Sequence, residues 1–347
     1  MGFTSSIVRT KKIPSGNISI KDVASASGVS ISTVSRVINK SASVKESHRL
    51  KVLEVVKNLK YHPSVFAQRL AKGTSNVVAL VIPRYEGVFY SFYALELIRG
   101  IGTLCAVLKL DLLLHLTDSN APLNLRGAGG VIFADVIGNR NQLDEAVSLK
   151  IPTVVINHFM EDLDVACIAI DNMGGAENAV NYLIGLGHRK IAHITGDLIT
   201  QAASARLEGY KKALAKNKIT LVPEYILHTD YSRGQARAAA EKILNMPNPP
   251  TAVFVASDSM ALEVMAVVKE HGKNIPEDLS IVGFDDNPSG LYGPVALTTV
   301  RQPLVKMAQE SVKELNLLMS KKKTKIDKYF LPTELVIRES CRALDIP

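Results

Sequence analysis

Ser19-Ile20-Lys21-Asp22-Val23-Ala24-Ser25-Ala26-Ser27-Gly28-Val29-Ser30-Ile31-Ser32-Thr33-Val34-Ser35-Arg36-Val37-Ile38-Asn39 is the stretch that decides the N-terminal fold. Ser19 with Asp22 three residues later has the form of a capping box, and Ile20, Val23 and Ala24 fall on one helical face behind it. Gly28 ends that helix, because only glycine enters the left-handed region without a steric penalty, and Ser30 is placed to cap the next. The second helix, Ile31 to about Asn39, turns Val34, Val37 and Ile38 inward and leaves Ile31, Ser32, Ser35, Arg36 and Asn39 on its other face. Ser43 and Glu46 repeat the box pattern and predict a third helix, with Val52, Val56 and Leu59 on one stripe and Leu50 and Leu53 beside it. Two short helices joined by a glycine turn and closed by a third read as a helix-turn-helix, with a generic three-helix bundle carrying a solvated basic face as the alternative.

The charge is concentrated in the same place. Residues 1–75 hold 13 Lys/Arg against three acids, so they carry +10 of a chain total of +8, and the rest is slightly acidic. A basic head of this kind meets a polyanion, most often nucleic acid, although charge alone leaves membrane surfaces and acidic proteins open. A helix fits the major groove of duplex DNA with its N-terminal residues at the base edges. Ser30, Ile31, Ser32, Thr33, Ser35, Arg36 and Asn39 are therefore the candidate DNA contacts, and Arg36 is the candidate for a bidentate bond to guanine.

With 347 residues, 47% of them apolar, the chain is long enough for two or three domains. Its apolar runs break well short of the ~20 residues of a membrane span, and no apolar segment follows the basic N-terminus as a secretory signal requires. The expectation is a cytoplasmic protein with no membrane partner. Cys105, Cys167 and Cys341 are odd in number and far apart, which supports neither a disulfide framework nor a zinc site, and no cofactor is expected. After Tyr61, Pro63 and Ser64 open a possible helix over Val65–Ala71. It is too short to stand alone in water, so it forms conditionally or stays a frayed linker.

From Val77 the pattern becomes one of short apolar runs alternating with amphipathic helices. Strands are predicted at Val77–Ile82, Leu110–Leu114, Val131–Ala134, Thr153–Ile156, Cys167–Ile170, Lys190–Ile194, Ala252–Ala256 and Leu279–Phe284, with crossover helices such as Gly175–Leu186, Ala203–Lys216 and Met260–His271. Continuous Val/Ile/Leu runs are those of parallel strands buried on both faces. Ligands in such sheets bind beyond the carboxyl ends of strands, and there stand Asn157, Asp171-Asn172, Ser257-Asp258 and Asp285-Asp286, with Arg206 early in its helix. Amides, carboxylates and one arginine suit the hydroxyls of a sugar; taken singly, Asp171 or Ser257 also reads as a helix cap.

The run Ile20-Lys21-Asp22-Val23-Ala24, Gly28-Val29-Ser30 and Thr33 to Asn39 resembles the DNA-binding head of the lactose-repressor-like (LacI/GalR) family of bacterial transcription regulators. The resemblance continues through Asp171-Asn172-x-x-Gly175, Gly185 to Ala192, the Arg206 segment, Ala256-Ser257-Asp258, Val282 to Asp286, Leu297 to Pro303 and Leu335 to Cys341. It implies an all-α helix-turn-helix DNA-binding head plus an α/β effector body of two doubly wound parallel-sheet lobes, periplasmic-binding-protein-like. The implied domains are 1–62 for DNA binding, 63–76 for a hinge helix and linker, and 77–347 for effector binding and dimerisation. Within the last, the N-lobe covers about 77–172 and 302–334 and the C-lobe about 173–301 and 335–347. The hinge would place Ala67 and Leu70 in the minor groove, where a leucine wedge kinks the duplex. Asn157, Arg206, Asp258 and Asp285 match effector-contacting positions, and Pro83–Phe92 would supply the N-lobe wall through Arg84, Tyr85 and Phe89. Thr298–Pro303 would be one crossover between lobes.

The implied function is a repressor that binds a near-palindromic operator in double-stranded DNA as a homodimer, under control of a small-molecule effector, a sugar, in the interlobe cleft. No heptad tail follows Cys341, so a dimer is expected over a coiled-coil tetramer. A sugar-binding protein of the same body fold without a transcriptional role is the alternative, and the basic head argues against it. An enzyme is not expected: Gly127-Ala128-Gly129-Gly130 precedes a strand instead of linking strand to helix, no P-loop occurs, and His188 and His193 read as structural. One departure from the family stands out. His115–Gly130 must connect two parallel strands in 16 residues that include Pro122, so the helix normally found there is expected to be shortened or absent.

Overall fold

The computed structural model of the protein describes residues 18–39, 43–61, 75–85, 87–118, 122–125, 127–322 and 326–344. The chain divides into two units, Met1–Ser75 and Asn76–Pro347.

In the first unit, α1 (Ile20–Ser27), α2 (Ile31–Ile38) and α3 (Glu46–Asn58) enclose a small core of Val23, Ala24, Val34, Val37 and Val52. The first capping box forms: the backbone N–H of Ser19 donates to Asp22 Oδ2 at 2.8 Å and its hydroxyl donates to the same oxygen at 2.7 Å. Gly28 takes the left-handed conformation at φ 67°, which turns the chain between α1 and α2. The second box does not form as expected. Glu46 is the first residue of α3, not its third, so Ser43 lies too far upstream to cap it, and Lys45 occupies the capping position without a side-chain bond. Leu50 and Leu53 face solvent.

The second unit is built on two six-stranded sheets. The N-lobe sheet joins β1 (Val77–Pro83), β2 (Asp111–Thr117), β3 (Gly130–Ala134), β4 (Thr153–Ile156), β5 (Ala166–Ile170) and β11 (Lys328–Leu331) in the order β11-β5-β4-β3-β1-β2, all parallel. The C-lobe sheet joins β6 (Ile191–Ile194), β7 (Ile226–Leu227), β8 (Ala252–Val255), β9 (Ser280–Asp285), β10 (Thr298–Arg301) and β12 (Glu334–Val336) in the order β12-β10-β9-β8-β6-β7. There only β12 runs antiparallel, to β10. Every residue of β1, β3, β4 and β5 is buried, as both faces of a parallel sheet must be. Helices α4 (Phe92–Val107) and α10 (Leu304–Met319) pack together on one face of the N-lobe sheet, and α5 (Arg140–Ser148) packs on the other. In the C-lobe, α6 (Asn172–Gly185) and α7 (Gln201–Lys216) pair on one face, and α8 (Arg233–Leu244) and α9 (Asp258–Glu270) on the other. The chain passes between lobes three times: at Asp171, at Gln302-Pro303 and at Pro332-Thr333.

The eight expected strands are present with small shifts at their ends. Sequence reading does not resolve β7, β10, β11 or β12 as strands, because β7 and β12 are only two and three residues long and β11 and β12 are partly exposed sheet edges. Between β2 and β3 the described residues contain no helix. Leu123 and Leu125 instead lie buried against Ala79, Val81, Val131 and Phe133, so an extended strap covers the sheet face.

Candidate functional site

The start of α2 is a hydroxyl cluster. Ser30 Oγ accepts from the Thr33 N–H at 3.2 Å and pairs with Ser32 Oγ at 2.8 Å and Thr33 Oγ1 at 2.9 Å. Ile31, Ser32 and Arg36 are exposed beside it, and Asn39 Nδ2 donates to the half-buried Ser35 Oγ at 3.4 Å. Val34 and Val37 pin the opposite face into the core, so the candidate base-reading residues are held on a rigid helix and turned to solvent. Ala67 and Leu70 lie outside the described residues.

In the second unit, the carboxyl ends of the central strands carry backbone in an unusual state. Asp135 follows β3 at φ 68°, Asn157 follows β4 at φ 60°, Asp285 ends β9 at φ 137° with Asp286 next at φ 59°, and Tyr231 has φ 68°. Non-glycine residues at positive φ carry strain that the surrounding structure must sustain, and such residues gather at binding sites. Tyr231 also requires Gly196, since a Cβ there would come within 2.0 Å of its ring.

The polar groups of the cleft come from both lobes. Asn157 Nδ2 donates to Asp135 Oδ1 at 3.1 Å. The Tyr93 hydroxyl is buried and has no hydrogen-bond partner; burial, with Asp135 next to it, pushes the phenol well above its ordinary value. Burial likewise pushes the Asp135 carboxyl up to about 7, although Tyr93, Asn157 and the Arg206 charge of the other lobe pull against it. Arg206 is buried: Nε donates to Asn172 Oδ1 at 2.9 Å, one terminal nitrogen donates to the carbonyl of Ala256, and the guanidinium lies 3.7 Å over the Phe284 ring. Asp285 accepts a bond from Gln302 Nε2, and burial raises its carboxyl against the pull of Arg206.

Two further contacts hold the lobes together over these groups. The Phe159 N–H donates to Gln201 Oε1 at 2.7 Å, and Gln201 Nε2 donates to the Phe159 carbonyl at 3.0 Å. Phe159 in turn stacks on Phe330 of β11 with ring centroids 4.8 Å apart. Beside this contact a 560 Å³ cavity is lined by Arg140, His158, Phe159, Gln201 and Phe330, among others.

The structure thus brings Asn157, Arg206 and Asp285 together. It treats Asp258 differently. That side chain is fully buried, Oδ2 accepts from the Asn287 N–H at 2.8 Å and Oδ1 accepts from Thr299 Oγ1 at 2.6 Å, so it braces the turn after β9 instead of facing the cleft. Burial and the charge of Asp285 raise its carboxyl. Arg84 points to the surface and pairs with Asp118 at 3.4 Å, Phe89 is 58% exposed, and Tyr85 is exposed although Asp135 still acts on its phenol. Asp171 and Ser257 are helix caps, accepting from Gly174 N–H at 2.8 Å and Met260 N–H at 3.4 Å. His188 Nδ1 bonds Thr251 Oγ1 at 2.9 Å. His193 Nδ1 meets the Phe254 carbonyl at 2.9 Å, and burial drives its pKa down to about 4. Both histidines are structural.

Sequence reading missed Asp135, Tyr93, Tyr231 and Gln201. Asp135 carried a usable signal, since it follows Val131–Ala134 as Asn157 follows Thr153–Ile156. The other three had none, because only the closed arrangement of the lobes brings them to the cleft.

A model of bacterial regulatory proteins of the lacI family matches residues 19–64, and one of the periplasmic binding protein-like domain matches residues 180–341. Catabolite control protein A of Priestia megaterium is 32% identical over 335 residues, 94% of this chain and 100% of that protein. The probable transcriptional repressor ExuR of Bacillus subtilis is 33% identical over 94% of this chain and 99% of its own length. Among solved structures, the lac repressor dimer bound to operator and the anti-inducer ONPF superimposes with a TM-score of 0.80 at 27% identity, covering 94% of this chain and 100% of that one. The CelR–cellobiose complex superimposes with a TM-score of 0.71 at 26% identity, over 93% of this chain and 99% of that one.

Proposed function

Because the chain belongs to the lacI family of bacterial regulatory proteins, we propose that α2 reads a near-palindromic operator and that the cleft between the two lobes takes the effector which controls this binding. The protein is a DNA-binding transcription regulator and not an enzyme. The lac repressor was solved as a dimer on its operator and CelR with cellobiose; a homodimer and a sugar effector are the corresponding reading for this chain. No described helix is long and apolar enough to cross a membrane. The reading puts the protein in the cytoplasm with its DNA.

In this reading residues 1–62 bind DNA, 63–76 form the hinge and 77–347 bind effector and dimerise. Ser30, Ile31, Ser32, Thr33, Ser35, Arg36 and Asn39 face the major groove, and Ala67 and Leu70 the minor groove. Asn157, Arg206 and Asp285 contact effector, Asp258 supports them from below, and Arg84, Tyr85 and Phe89 join the wall only if the 84–90 segment closes inward. Control requires that the effector bind one lobe arrangement more tightly than the other, since equal affinity for both shifts nothing.

The observation that carries the reading is one chain holding both an exposed α2 start, with Ile31, Ser32 and Arg36 on a capped rigid helix, and a buried polar cleft of Asp135, Asn157, Arg206 and Asp285. The test is selection of duplex sites from a random pool, followed by gel shift at physiological salt. Enrichment of a two-fold symmetric site is expected; binding that does not distinguish that site from random duplex overturns the reading.

A further inference from the structure

The cleft has more acceptors than donors. Asp135 brings a carboxylate with one hydrogen bond, from Asn157, and Asp285 brings another with one, from Gln302. The Oδ1 of Asn157, a residue 7% exposed, is buried with no partner. On the donor side stand the Tyr93 hydroxyl and Arg206. Two nitrogens of Arg206 are already committed to Asn172 and Ala256, and its face is covered by Phe284. The one fixed cation therefore serves the protein more than any ligand, and the two carboxylates are left under-satisfied.

We propose that this cleft admits an effector rich in hydrogen-bond donors and free of negative charge, an uncharged polyol or an amine-bearing sugar, and that Asp135 enforces the choice. The inference rests on the reading of the cleft as the effector site and narrows its chemistry. A phosphate or carboxylate group here would meet Asp135 and Asp285 in a water-poor space where like charges repel strongly, with Arg206 already engaged. A hydroxyl or ammonium donor would instead supply the bonds that Asp135, Asp285 and Asn157 Oδ1 lack. The upward shift of the Asp135 carboxyl shows the same deficit of compensating charge in the unliganded cleft.

The test uses the full chain and follows its melting temperature with glucose, ribose and glucosamine against glucose phosphate, ribose phosphate and glucuronate, each at millimolar concentration. At least one of the first three is expected to raise the melting temperature and none of the last three. Asp135→Asn is expected to bind the successful probe about tenfold or more weakly, the loss that follows from removing one charge-assisted bond. A shift produced by any anionic probe, no shift from any of the first three, or unchanged affinity in Asp135→Asn overturns the proposal. If circular dichroism shows that Asp135→Asn does not fold, Asp285→Asn carries the same expectation. Gel shift on the same preparations keeps the two readings apart: loss of operator preference with the probe pattern intact sinks the regulator reading and leaves the charge rule standing, and the reverse holds as well.

Discussion

The side-chain amide of Gln201 pairs with the backbone of Phe159 through two hydrogen bonds, 2.7 Å to its N–H and 3.0 Å to its carbonyl, as a neighbouring strand would. The two residues belong to different lobes, and Phe159 is fixed by its stack on Phe330, so the pair clips the lobes shut. Each bond is worth about 0.5–1.5 kcal/mol. Gln201→Ala should lower the closed population by roughly tenfold while leaving both lobe cores intact. Hydroxyl-radical footprinting should then find Tyr93 and Tyr231 more reactive, with buried Tyr210 and exposed Tyr292 unchanged as internal standards. Equal reactivity in variant and wild type would show that other contacts hold the lobes.

Arg36 stands exposed on the helix whose other face is pinned by Val34 and Val37. Arg36→Ala should cost about 1–3 kcal/mol of specific DNA binding and relax the preference at one base position, with weak binding to random duplex nearly unchanged. Gel shift against the selected site and a scrambled one measures both quantities. An unaltered preference removes Arg36 from the reading role.

The strap that stands in for a helix depends on Leu123 and Leu125, which are 8% and 7% exposed. Leu125→Ala should destabilise the second unit by about 2–4 kcal/mol, the usual cost of deleting a buried leucine side chain. Thermal unfolding followed by circular dichroism reads the loss. A change under about 0.5 kcal/mol, the range of surface substitutions, would mean that the strap covers the sheet without supporting it.

Asp135 makes the closed, effector-free state sensitive to pH. Its carboxyl is raised from the ordinary 3.8 to about 7, so the folded state holds a proton that the unfolded chain releases. Its contribution is therefore fully present below about 4, fades as pH rises and is gone above about 7. Asp258 and Asp285, also raised, act in the same direction, whereas His193, lowered to about 4, destabilises the fold as pH falls below 6.5. The gap in melting temperature between wild type and Asp135→Asn isolates the one group. Wild type should lose ground to the variant between pH 5 and pH 8, and a gap that stays constant over that range would refute the assignment.

Much of this molecule was legible in its residues one segment at a time. The α1–turn–α2 unit follows from Ser19, Asp22, Gly28 and Ser30, whose preferences act over three or four positions. The central strands follow from apolar runs, because a strand buried on both faces has no polar side to show. The absence of a helix after β2 follows from Pro122 and the shortness of the connection. The Ser43/Glu46 pattern misled because a box needs the glutamate in the third helical position, and α3 begins at Glu46 itself. The edge strands β11 and β12 escaped because partial exposure lets polar residues in.

What the sequence determined by itself was the class of the molecule: a basic helical head, an α/β body and polar strand ends that mark a cleft. Only the tertiary structure decided which polar residues share that cleft. Asp258 and Asp285 both stand beside strand ends, yet one is drawn under the sheet by Thr299 and the Asn287 backbone while the other joins Arg206 and, across the lobes, Asp135. The reason is one of range. Caps and periodicity are set by neighbours within a turn or two, whereas the destination of a buried carboxylate depends on donors that arrive from dozens of residues away once the lobes have closed.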